Sequence, residues 1–394
     1  MTTHKVFLKP KKEQSLNRFH PWIFSGAIAH MEGKPEEGDV VDVFTASNEF
    51  IAKGHYQIGS IAIRVLSFQD EAIDDHFWIN RIQTAYNVRK AVGLAHNPHN
   101  NTFRLIHGEG DFLPGLIVDV YDETAVLQAH SVGMHYMRNI LAETIIKVMD
   151  GAVKNIYYKS ETTLPFKAEL DPTDGFLIGG DKNNIAIENG LKFHVDWLKG
   201  QKTGFFVDQR ENRSLLEKYS KDRSVLNMFC YTGGFSFYAM RGGAKVVHSV
   251  DSSAKAIDLT NENISLNFGE DERHKAIAED AFKYLDRMGN QYDLIVLDPP
   301  AFAKHRKALR NALQGYRKIN AKALEKIQPG GILFTFSCSQ VVSKDDFRTM
   351  VFSAAAMSGR KVRILHQLTQ PADHPVSIYH PEGEYLKGLV LYVE

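Results

Sequence analysis

From about residue 190 the chain alternates short, continuously apolar runs with stretches of helical periodicity. Continuously apolar strands are typical of parallel sheets that are covered on both faces, and parallel strands need crossover connections between them. The runs are, in order, SVLNMF, AKVVHSV, YDLIVLD and GGILFTFS, each followed by a helical stretch. The pattern predicts a doubly wound α/β domain.

The rest of the chain is long enough for further domains, because 394 residues exceed the roughly 250 to 300 over which one hydrophobic core keeps growing. Residues 1–72 contain short strands broken by turns, which predicts a small β domain. Residues 73–188 mix strands with a helix from Asp75, capped by Asp74 or Asp75, and one amphipathic helix at MHYMRNILAETIIKVM. We expect a middle α+β domain there and the α/β domain over residues 189–394.

In an open parallel sheet, ligands bind at the carboxyl ends of the strands, near the point where the strand order reverses. The first strand ends in a turn that contains Thr232 and Gly233 and leads into a helix; a glycine there lets the backbone approach a ligand closely. The spacing is not GxGxxG, which argues against NAD or FAD. Asp251 ends the second strand, where a carboxylate can accept both hydroxyls of a ribose. The alternative is that Asp251 caps the next helix.

Two further acids occupy comparable positions. Asp280 follows a short apolar run and could accept from an adenine amino group, or it could cap the helix after it. Asp298 ends YDLIVLD and precedes Pro299 and Pro300, which remove backbone donors and stiffen the loop. This favours a position for the Asp298 side chain at the mouth of a pocket. The alternative is that the two prolines only end the strand and begin a loop.

Overall charge gives no reason to expect a polyanionic partner, since 47 Lys plus Arg balance 47 Asp plus Glu. A nucleic-acid site would have to be local, and the alternative for each basic cluster is a solvated face. Two cysteines in a chain of this length favour a reducing compartment, the cytoplasm, and no apolar run suggests a signal peptide or a membrane span. The basic clusters are Lys5, Lys9, Lys11, Lys12 and Arg18, and Lys304, Arg306, Lys307 and Arg310.

Taken together, VLNMFCYTGGFSFYAM, AEDAF, DLIVLDPPAFAK and GGILFTFSCS resemble successive motifs of a class I S-adenosylmethionine-dependent methyltransferase with a Rossmann-like domain. More closely, the chain resembles the bacterial ribosomal RNA large-subunit methyltransferases that make 5-methylcytosine and carry an N-terminal PUA domain. HPWIFSGAI is similar to the PUA part, RLIHGEGDFLPGLIVDVY to the middle domain, KTGFFVDQRENR to the segment before the catalytic domain, and PADHPVSIYHPEGEYLKG to the C-terminal segment.

The resemblance implies a role for each candidate residue. S-adenosylmethionine would lie against the turn and the acids after the first strands, with Asp280 near the adenine, and the segment before the first strand would close its pocket. Asp298 would lie beside the target base, and Cys338 would be the nucleophile. The implied partner is RNA, with ribosomal RNA as the first candidate. No association with a membrane is expected, and the formation of a homodimer stays open. The cofactor-binding residues would be Phe229, Thr232, Gly233, Asp251, Asp280, Gln209 and Arg210.

The position of Cys338 suits this chemistry, because it comes where the apolar run GGILFTFS gives way to polar residues. Carbon 5 of cytosine needs a thiolate at carbon 6 before it can take a methyl group. A thiol with a pKa near 8.5 is mostly protonated at neutral pH, so the site should favour the thiolate; the basic loop from Lys304 to Arg310 is one candidate influence. The alternative is an inert core cysteine. Cys230 is interpreted as a packing residue.

Two other functions stay open from the sequence. An enzyme of the same architecture could modify uracil carbon 5 or a guanine nitrogen, and a guanine-nitrogen enzyme would not need Cys338. A non-catalytic RNA-binding factor could keep the fold, although Asp251, Asp298 and Cys338 together argue against it. No metal site is expected, since His96 and His99 lie in the loop-like stretch HNPHNN.

Overall fold

The computed structural model describes residues 4–165, 170, 173–181, 183–303 and 305–394. They form two compact units. The first unit comprises Met1–Gly190, Val195–Val207 and Ala372–Gly383, and the second comprises Leu191–His194, Asp208–Pro371 and Glu384–Glu394. The expected domain division at residues 72 and 188 stays a prediction.

A six-stranded sheet forms the N-terminal part of the first unit. Its strands are β1 (His4–Leu8), β2 (Trp22–Phe24), β3 (Ile28–Glu32), β4 (Val40–Phe44), β5 (Phe50–Tyr56) and β6 (Ile61–Ser67). Their order is β2-β6-β5-β4-β1-β3. Alternate residues of β4 face the core, so Val41 and Val43 are fully buried, as period-two strands require.

A second sheet of the same unit carries helices. Its order is β11-β10-β9-β8-β7, and Asp74 caps the first helix by accepting from the Phe77 N–H at 3.1 Å. The elements are α1 (Asp75–Ala91), β7 (Thr102–His107), β8 (Leu116–Tyr121), β9 (Thr124–Ala129), α2 (Val132–Tyr136), α3 (Arg138–Met149), β10 (Asn155–Tyr158) and β11 (Gly175–Ile178), followed by β12 (Ile185–Glu188), which lies outside this sheet.

The single amphipathic helix predicted at MHYMRNILAETIIKVM is wrong in detail, because two helices occupy this stretch. Met137 separates them. Ser131 starts the first by accepting from the Met134 N–H, a cap that lies before the predicted start. The Arg138 guanidinium donates to the carbonyl of His135 at 2.8 Å, which satisfies a carbonyl near the end of the first helix.

The second unit contains one short strand outside its main sheet and then a seven-stranded sheet with helices between its parallel strands, as the sequence predicts. The elements are β13 (Leu191–His194), α4 (Arg210–Tyr219), β14 (Ser224–Met228), α5 (Gly234–Arg241), β15 (Val246–Asp251), α6 (Ala254–Phe268), β16 (His274–Ala278), α7 (Ala281–Arg287), β17 (Leu294–Leu297), α8 (Leu309–Lys326), β18 (Gly331–Ser337), α9 (Lys344–Ser358), β19 (Val362–Leu368) and β20 (Lys387–Val393).

The order of this sheet, β16-β15-β14-β17-β18-β20-β19, sets the location of a ligand site. The first five strands are parallel, and β20 runs antiparallel to both of its neighbours. From β14 the chain first builds outward through β15 and β16 and then returns to add β17 on the other side. The strand order therefore reverses between β14 and β17, which is where such sheets bind ligands.

The predicted fold class is confirmed: a Rossmann-like α/β sheet is joined to an N-terminal β sheet and a mixed α/β part. Among the helices of the described residues, none combines the length and apolar character that crossing a membrane requires.

A buried ion pair in the first unit allows a test of the structure. Arg89 is fully buried; its guanidinium binds the Asp111 carboxylate at 2.5 and 2.7 Å and donates to the Asp373 carbonyl at 2.7 Å. Arg89→Met leaves the Asp111 charge buried without this partner and should lower the free energy of unfolding by about 3 to 5 kcal/mol. Urea unfolding followed by tryptophan fluorescence reports on this unit, since Trp22, Trp78 and Trp197 all lie in it.

The matched control is Lys154→Met, which removes a cation from an exposed pair with Glu123 and should leave the transition in place. An unshifted transition in Arg89→Met would contradict the structural role of the buried pair.

Candidate active site

The turn after β14 has a strained backbone. Phe229 and Tyr231 have φ of 59° and 48°, in the left-handed region, and Gly233 has φ of 83°. Such conformations persist in non-glycine residues only where the surroundings hold them. Here the Cys230 N–H donates to the Val250 carbonyl at 3.1 Å, so the neighbouring strand fixes the turn.

Gly233 is required at its position for steric reasons as well. A Cβ there would lie 2.6 Å from the Phe237 ring and 2.8 Å from the Thr260 methyl carbon. Thr232, next to it, is buried, and its carbonyl accepts from the Asn263 amide at 3.4 Å. The turn is therefore shaped closely by its packing, directly before α5.

Asp251, at the end of β15, connects two loops. Its Oδ2 accepts from the Tyr231 N–H at 3.0 Å and its Oδ1 from the Ser253 N–H at 2.9 Å. Ser253 is the residue that caps α6, by accepting from the Ala256 N–H, so the alternative that Asp251 caps this helix is wrong. A carboxylate has about four acceptor positions, which leaves capacity for the hydroxyls of a ribose.

Asp280 follows β16, the neighbour of β15. It caps α7 by accepting from the Lys283 N–H at 3.0 Å, and its side chain is exposed. The capping alternative therefore describes what the structure shows, while the contact with adenine stays a prediction.

Asp298 follows β17 and is held by a glutamine from another segment. Gln209 donates from Nε2 to Asp298 Oδ2 at 3.0 Å, and Asn212 donates to Gln209 Oε1 at 2.6 Å. Gln209 and Asn212 are each 3% exposed. The chain before α4 thus reaches the same sheet edge, although Gln209 contacts the acid predicted for the target base. Arg210, also buried, starts α4, and its contact with the cofactor stays a prediction.

Cys338 follows β18 and is partly exposed, whereas the flanking Ser337 and Ser339 are buried. The Ser339 hydroxyl donates to the Ala303 carbonyl at 2.6 Å. This bond fastens the loop after Asp298 to the segment that carries Cys338.

Tyr316, on α8, relates Cys338 to Asp298. Burial raises the pKa of the Tyr316 hydroxyl to about 12, and the negative charges of Cys338 and Asp298 act in the same direction. A single buried hydroxyl is therefore within electrostatic reach of both groups. Asp298 and Cys338 follow the adjacent parallel strands β17 and β18, so both lie at the carboxyl edge of the sheet.

Lys387 is a site residue that the sequence prediction missed. It starts β20 opposite Ser337, is 4% exposed, and donates from Nζ to the Ser339 carbonyl at 2.6 Å. Burial lowers the pKa of Lys387 to about 8, while the negative charges of Cys338 and Glu384 act in the opposite direction. The basic loop proposed for this role has its described residues Arg306, Lys307 and Arg310 exposed, and Lys304 lies outside the described residues.

Cys230 differs from Cys338 in every relevant property. It is buried, and burial, followed by the nearby charge of Asp251, raises the pKa of its thiol far above the ordinary value. A thiol that stays protonated is a poor nucleophile. The geometry supports packing as its role.

A cluster in the first unit has the composition of a metal site. His20, His380 and Glu382 bring nitrogen and oxygen atoms within 4.8 Å of one another. His20 Nδ1, however, accepts from the Trp22 N–H at 3.2 Å, so the neutral ring carries its proton on Nε2, which faces Glu382 at 3.5 Å. That nitrogen offers a proton to the carboxylate and not a lone pair to a cation.

Comparison with known proteins identifies the family. A family model described as S-adenosylmethionine-dependent methyltransferase matches residues 170–380, and a PUA-like domain model matches residues 6–68. The chain belongs to this methyltransferase family. The expected cofactor, S-adenosylmethionine, is thereby confirmed, as is the PUA-like domain at the N-terminus.

Relatives match over nearly the whole chain. Ribosomal RNA large subunit methyltransferase I of Tolumonas auensis is 41% identical over 394 residues, 98% of each chain. The protein of the same name from Alteromonas mediterranea is 39% identical over 396 residues, 99% of this chain and 98% of that one.

Solved structures show the same fold. A protein from Streptococcus mutans described as a SAM-dependent methyltransferase has a TM-score of 0.84 at 21% identity, covering 99% of this chain and 100% of that one. A methyltransferase solved in complex with SAH has a TM-score of 0.85, also at 21% identity, with the same coverage.

The edge residues fit this methyltransferase cofactor. The turn that holds Phe229 and Gly233 in left-handed conformations leads directly into α5, and Asp251 is already oriented by two backbone donors. These residues would hold the amino-acid and ribose parts of S-adenosylmethionine, at the same edge of the sheet as Cys338 and Asp298.

The role of Asp251 can be tested by cofactor affinity. Hydrogen bonds to a charged group contribute about 1.5 to 3 kcal/mol each, so Asp251→Ala should weaken S-adenosylmethionine binding at least tenfold in calorimetry. Asp258→Ala, an exposed acid on the neighbouring α6, is the matched control and should leave the affinity unchanged. Equal affinities for the two variants would show that Asp251 does not line the cofactor pocket.

Proposed function

We propose that this methyltransferase forms 5-methylcytosine in RNA, with large-subunit ribosomal RNA as the first candidate, through a covalent bond between Cys338 and carbon 6 of the base. The observation that carries the proposal is that Asp298 and the partly exposed Cys338 follow the adjacent parallel strands β17 and β18, with the two loops joined by the hydrogen bond from Ser339 to Ala303. The names of the relatives, which are ribosomal RNA methyltransferases, support RNA as the substrate, as does the PUA-like domain.

The reaction needs a nucleophile, a base-recognising acid and a methyl donor. S-adenosylmethionine supplies an electrophilic methyl group when bound. The Cys338 thiolate uses its lone pair to form a bond to carbon 6, and the electrons of the ring double bond shift so that carbon 5 becomes nucleophilic. Once carbon 5 carries the methyl group, a base removes the proton that remains on carbon 5. The double bond between carbons 5 and 6 then reforms, and the Cys338 sulfur leaves as the thiolate.

Asp298 favours cytosine over uracil. Cytosine protonated at N3 presents two donors, N3–H and the exocyclic amine, to a carboxylate. Uracil presents one N3–H donor between two carbonyl oxygens, so one carboxylate oxygen would face a carbonyl. The Gln209 amide, fixed by Asn212, holds Asp298 Oδ2 and limits its orientation.

The presence of a partly exposed cysteine argues against the guanine-nitrogen alternative, because a ring nitrogen can take a methyl group without covalent catalysis. Reaching carbon 6 requires an unstacked base, which agrees with RNA enzymes that act on loops or flipped nucleotides.

The two cysteines make the mechanism testable. Cys338→Ala should abolish methylation of RNA, measured by nucleoside mass spectrometry, while leaving S-adenosylmethionine affinity intact. Cys230→Ser, the matched control, should retain most activity because the thiol of Cys230 is buried and protonated. RNA with 5-fluorocytosine at the target has no removable proton at carbon 5, so it should trap the wild-type chain as a denaturation-stable adduct.

Peptide mapping of that adduct gives a second readout. A link through Cys338 is expected, and a link through Cys230, or full activity in Cys338→Ala, would overturn the mechanism.

RNA binding should depend on the exposed basic loop. Neutralising Arg306, Lys307 and Arg310 to Gln should weaken RNA binding and flatten its salt dependence, by about 0.7 to 0.9 in slope for each phosphate that the loop no longer neutralises. Cofactor affinity should not change. The matched control neutralises Lys218, Lys221 and Lys245, three exposed lysines near the amino ends of β14 and β15.

Titrations at several salt concentrations measure both variants. If the salt dependence of RNA binding has the same slope for the loop variant, the control and the wild type, the loop is not part of the RNA site. The N-terminal basic cluster, whose residues are exposed in the PUA-like part, would then be the remaining candidate. Light scattering in the same buffers would report whether the chain forms the homodimer that the sequence leaves open.

A further inference from the structure

Lys387 has an environment that packing alone does not explain. Its side chain is 4% exposed, and lysines are almost never buried to this degree unless they are paired. Its Nζ lies 2.6 Å from the carbonyl oxygen of Ser339, the residue after Cys338. A methionine could fill a similar volume without the cost of burying an amine.

The charges around Lys387 come from several elements. Glu384 and Lys344 act on it from the segment before β20 and from the start of α9, and Cys338 acts from the end of β18. Around Cys338, the described titratable groups also include Tyr316 on α8, whose pKa responds to both Cys338 and Asp298. After burial, the strongest influence on the pKa of Lys387 is the charge of Cys338, which raises it because a thiolate attracts an ammonium.

This attraction is mutual. If a thiolate at Cys338 favours the charged form of Lys387, then an ammonium at Lys387 favours the thiolate to the same extent. Backbone geometry keeps the two groups together, since Lys387 is the partner of Ser337 across the β18–β20 pair and its Nζ is fixed on the carbonyl of Ser339.

We propose that Lys387 is a positioning residue for methyl transfer: its ammonium group, anchored on the Ser339 carbonyl, holds Cys338 as the thiolate that attacks the base. The inference rests on the proposed function in one respect, the identity of Cys338 as the nucleophile. When the pair starts as thiol and neutral amine, the S–H bond breaks, its electron pair stays on sulfur and the proton goes to Nζ. The thiolate that leaves at the end restores the pair.

The pH dependence follows from the two charges. The ammonium is present below a pKa of about 8 and is lost above it, whereas the thiolate is favoured as the pH rises. Wild-type Cys338 should therefore already be reactive near neutral pH, and a variant without the ammonium should need a higher pH.

Alkylation by iodoacetamide tests this without RNA or cofactor. In a Cys230→Ser background, the rate of Cys338 modification is followed by mass spectrometry over a range of pH from mildly acidic to alkaline. Lys387→Met should move the midpoint upward by at least one pH unit, a tenfold fall in rate at neutral pH, whereas Lys387→Arg should keep it closer to that of the wild type. Lys245→Met is the matched control, because it removes an exposed lysine near the amino end of β15, where it pairs with Asp222; its midpoint should stay in place.

The pH dependence of methylation distinguishes the proposed role of Lys387 from a purely structural one, because a structural role would not change it. The activity of Lys387→Met should be reduced at neutral pH and should recover as the pH rises. An unshifted alkylation midpoint in a Lys387→Met protein that still binds S-adenosylmethionine would overturn the proposal. If this variant does not fold, the wild-type profile decides, because a midpoint at the ordinary thiol value near 8.5 overturns the proposal as well.

Failure of the proposed function would look different. If Cys338→Ala keeps its methylation activity, Cys338 is not the nucleophile, whatever the alkylation midpoint. If Cys338→Ala is inactive and the alkylation midpoint of Lys387→Met does not move, Cys338 is still the nucleophile but Lys387 does not stabilise its thiolate.

Discussion

Parallel pairing of β14, β15, β17 and β18 is the constraint on which the rest of the second unit depends. Strands that pair in parallel end at the same edge of the sheet, so the turn after β14, Asp251, Asp298 and Cys338 come together although they are far apart in sequence. The reversal of strand order between β14 and β17 opens the crevice at this edge. One sheet therefore carries the residues proposed for the cofactor on one side of the reversal and those proposed for the target base on the other.

The residues at this edge are held mainly by hydrogen bonds to backbone groups. Asp251 accepts from two backbone N–H groups, the Ser339 hydroxyl donates to the Ala303 carbonyl, and Lys387 donates to the Ser339 carbonyl. Backbone atoms move less than side chains, so these bonds fix Asp251 and the segment around Cys338 before any ligand arrives. Preorganisation of this kind reduces the ordering that binding would otherwise require.

The sequence predicted the strands β14, β15, β17 and β18 and the positions of the acids and of Cys338 at strand ends, because apolar runs and the points where they stop are local signals. It could not decide between the functions of an acid at a strand end. Asp251 connects two loops, with Ser253 as the helix cap, while Asp280 is itself a cap; both have the same local pattern. Lys387 escaped notice because its position depends on the antiparallel register of β20 against β18, which no short-range pattern encodes. The bond between Gln209 and Asp298 joins distant segments and was hidden for the same reason.

The position of β20 between β18 and β19 has a consequence for the nascent chain. On the ribosome β19 emerges before β20, yet it cannot join the sheet until β20 has been made, because β20 separates it from β18. During that interval β18, whose residues are all buried in the finished sheet, has an unpaired edge, and exposed edges of this kind can pair with other chains. Synthesis of β20 closes the edge and brings Lys387 to the Ser339 carbonyl in the same event, so the ammonium group proposed to act on Cys338 is in place only when the sheet is complete.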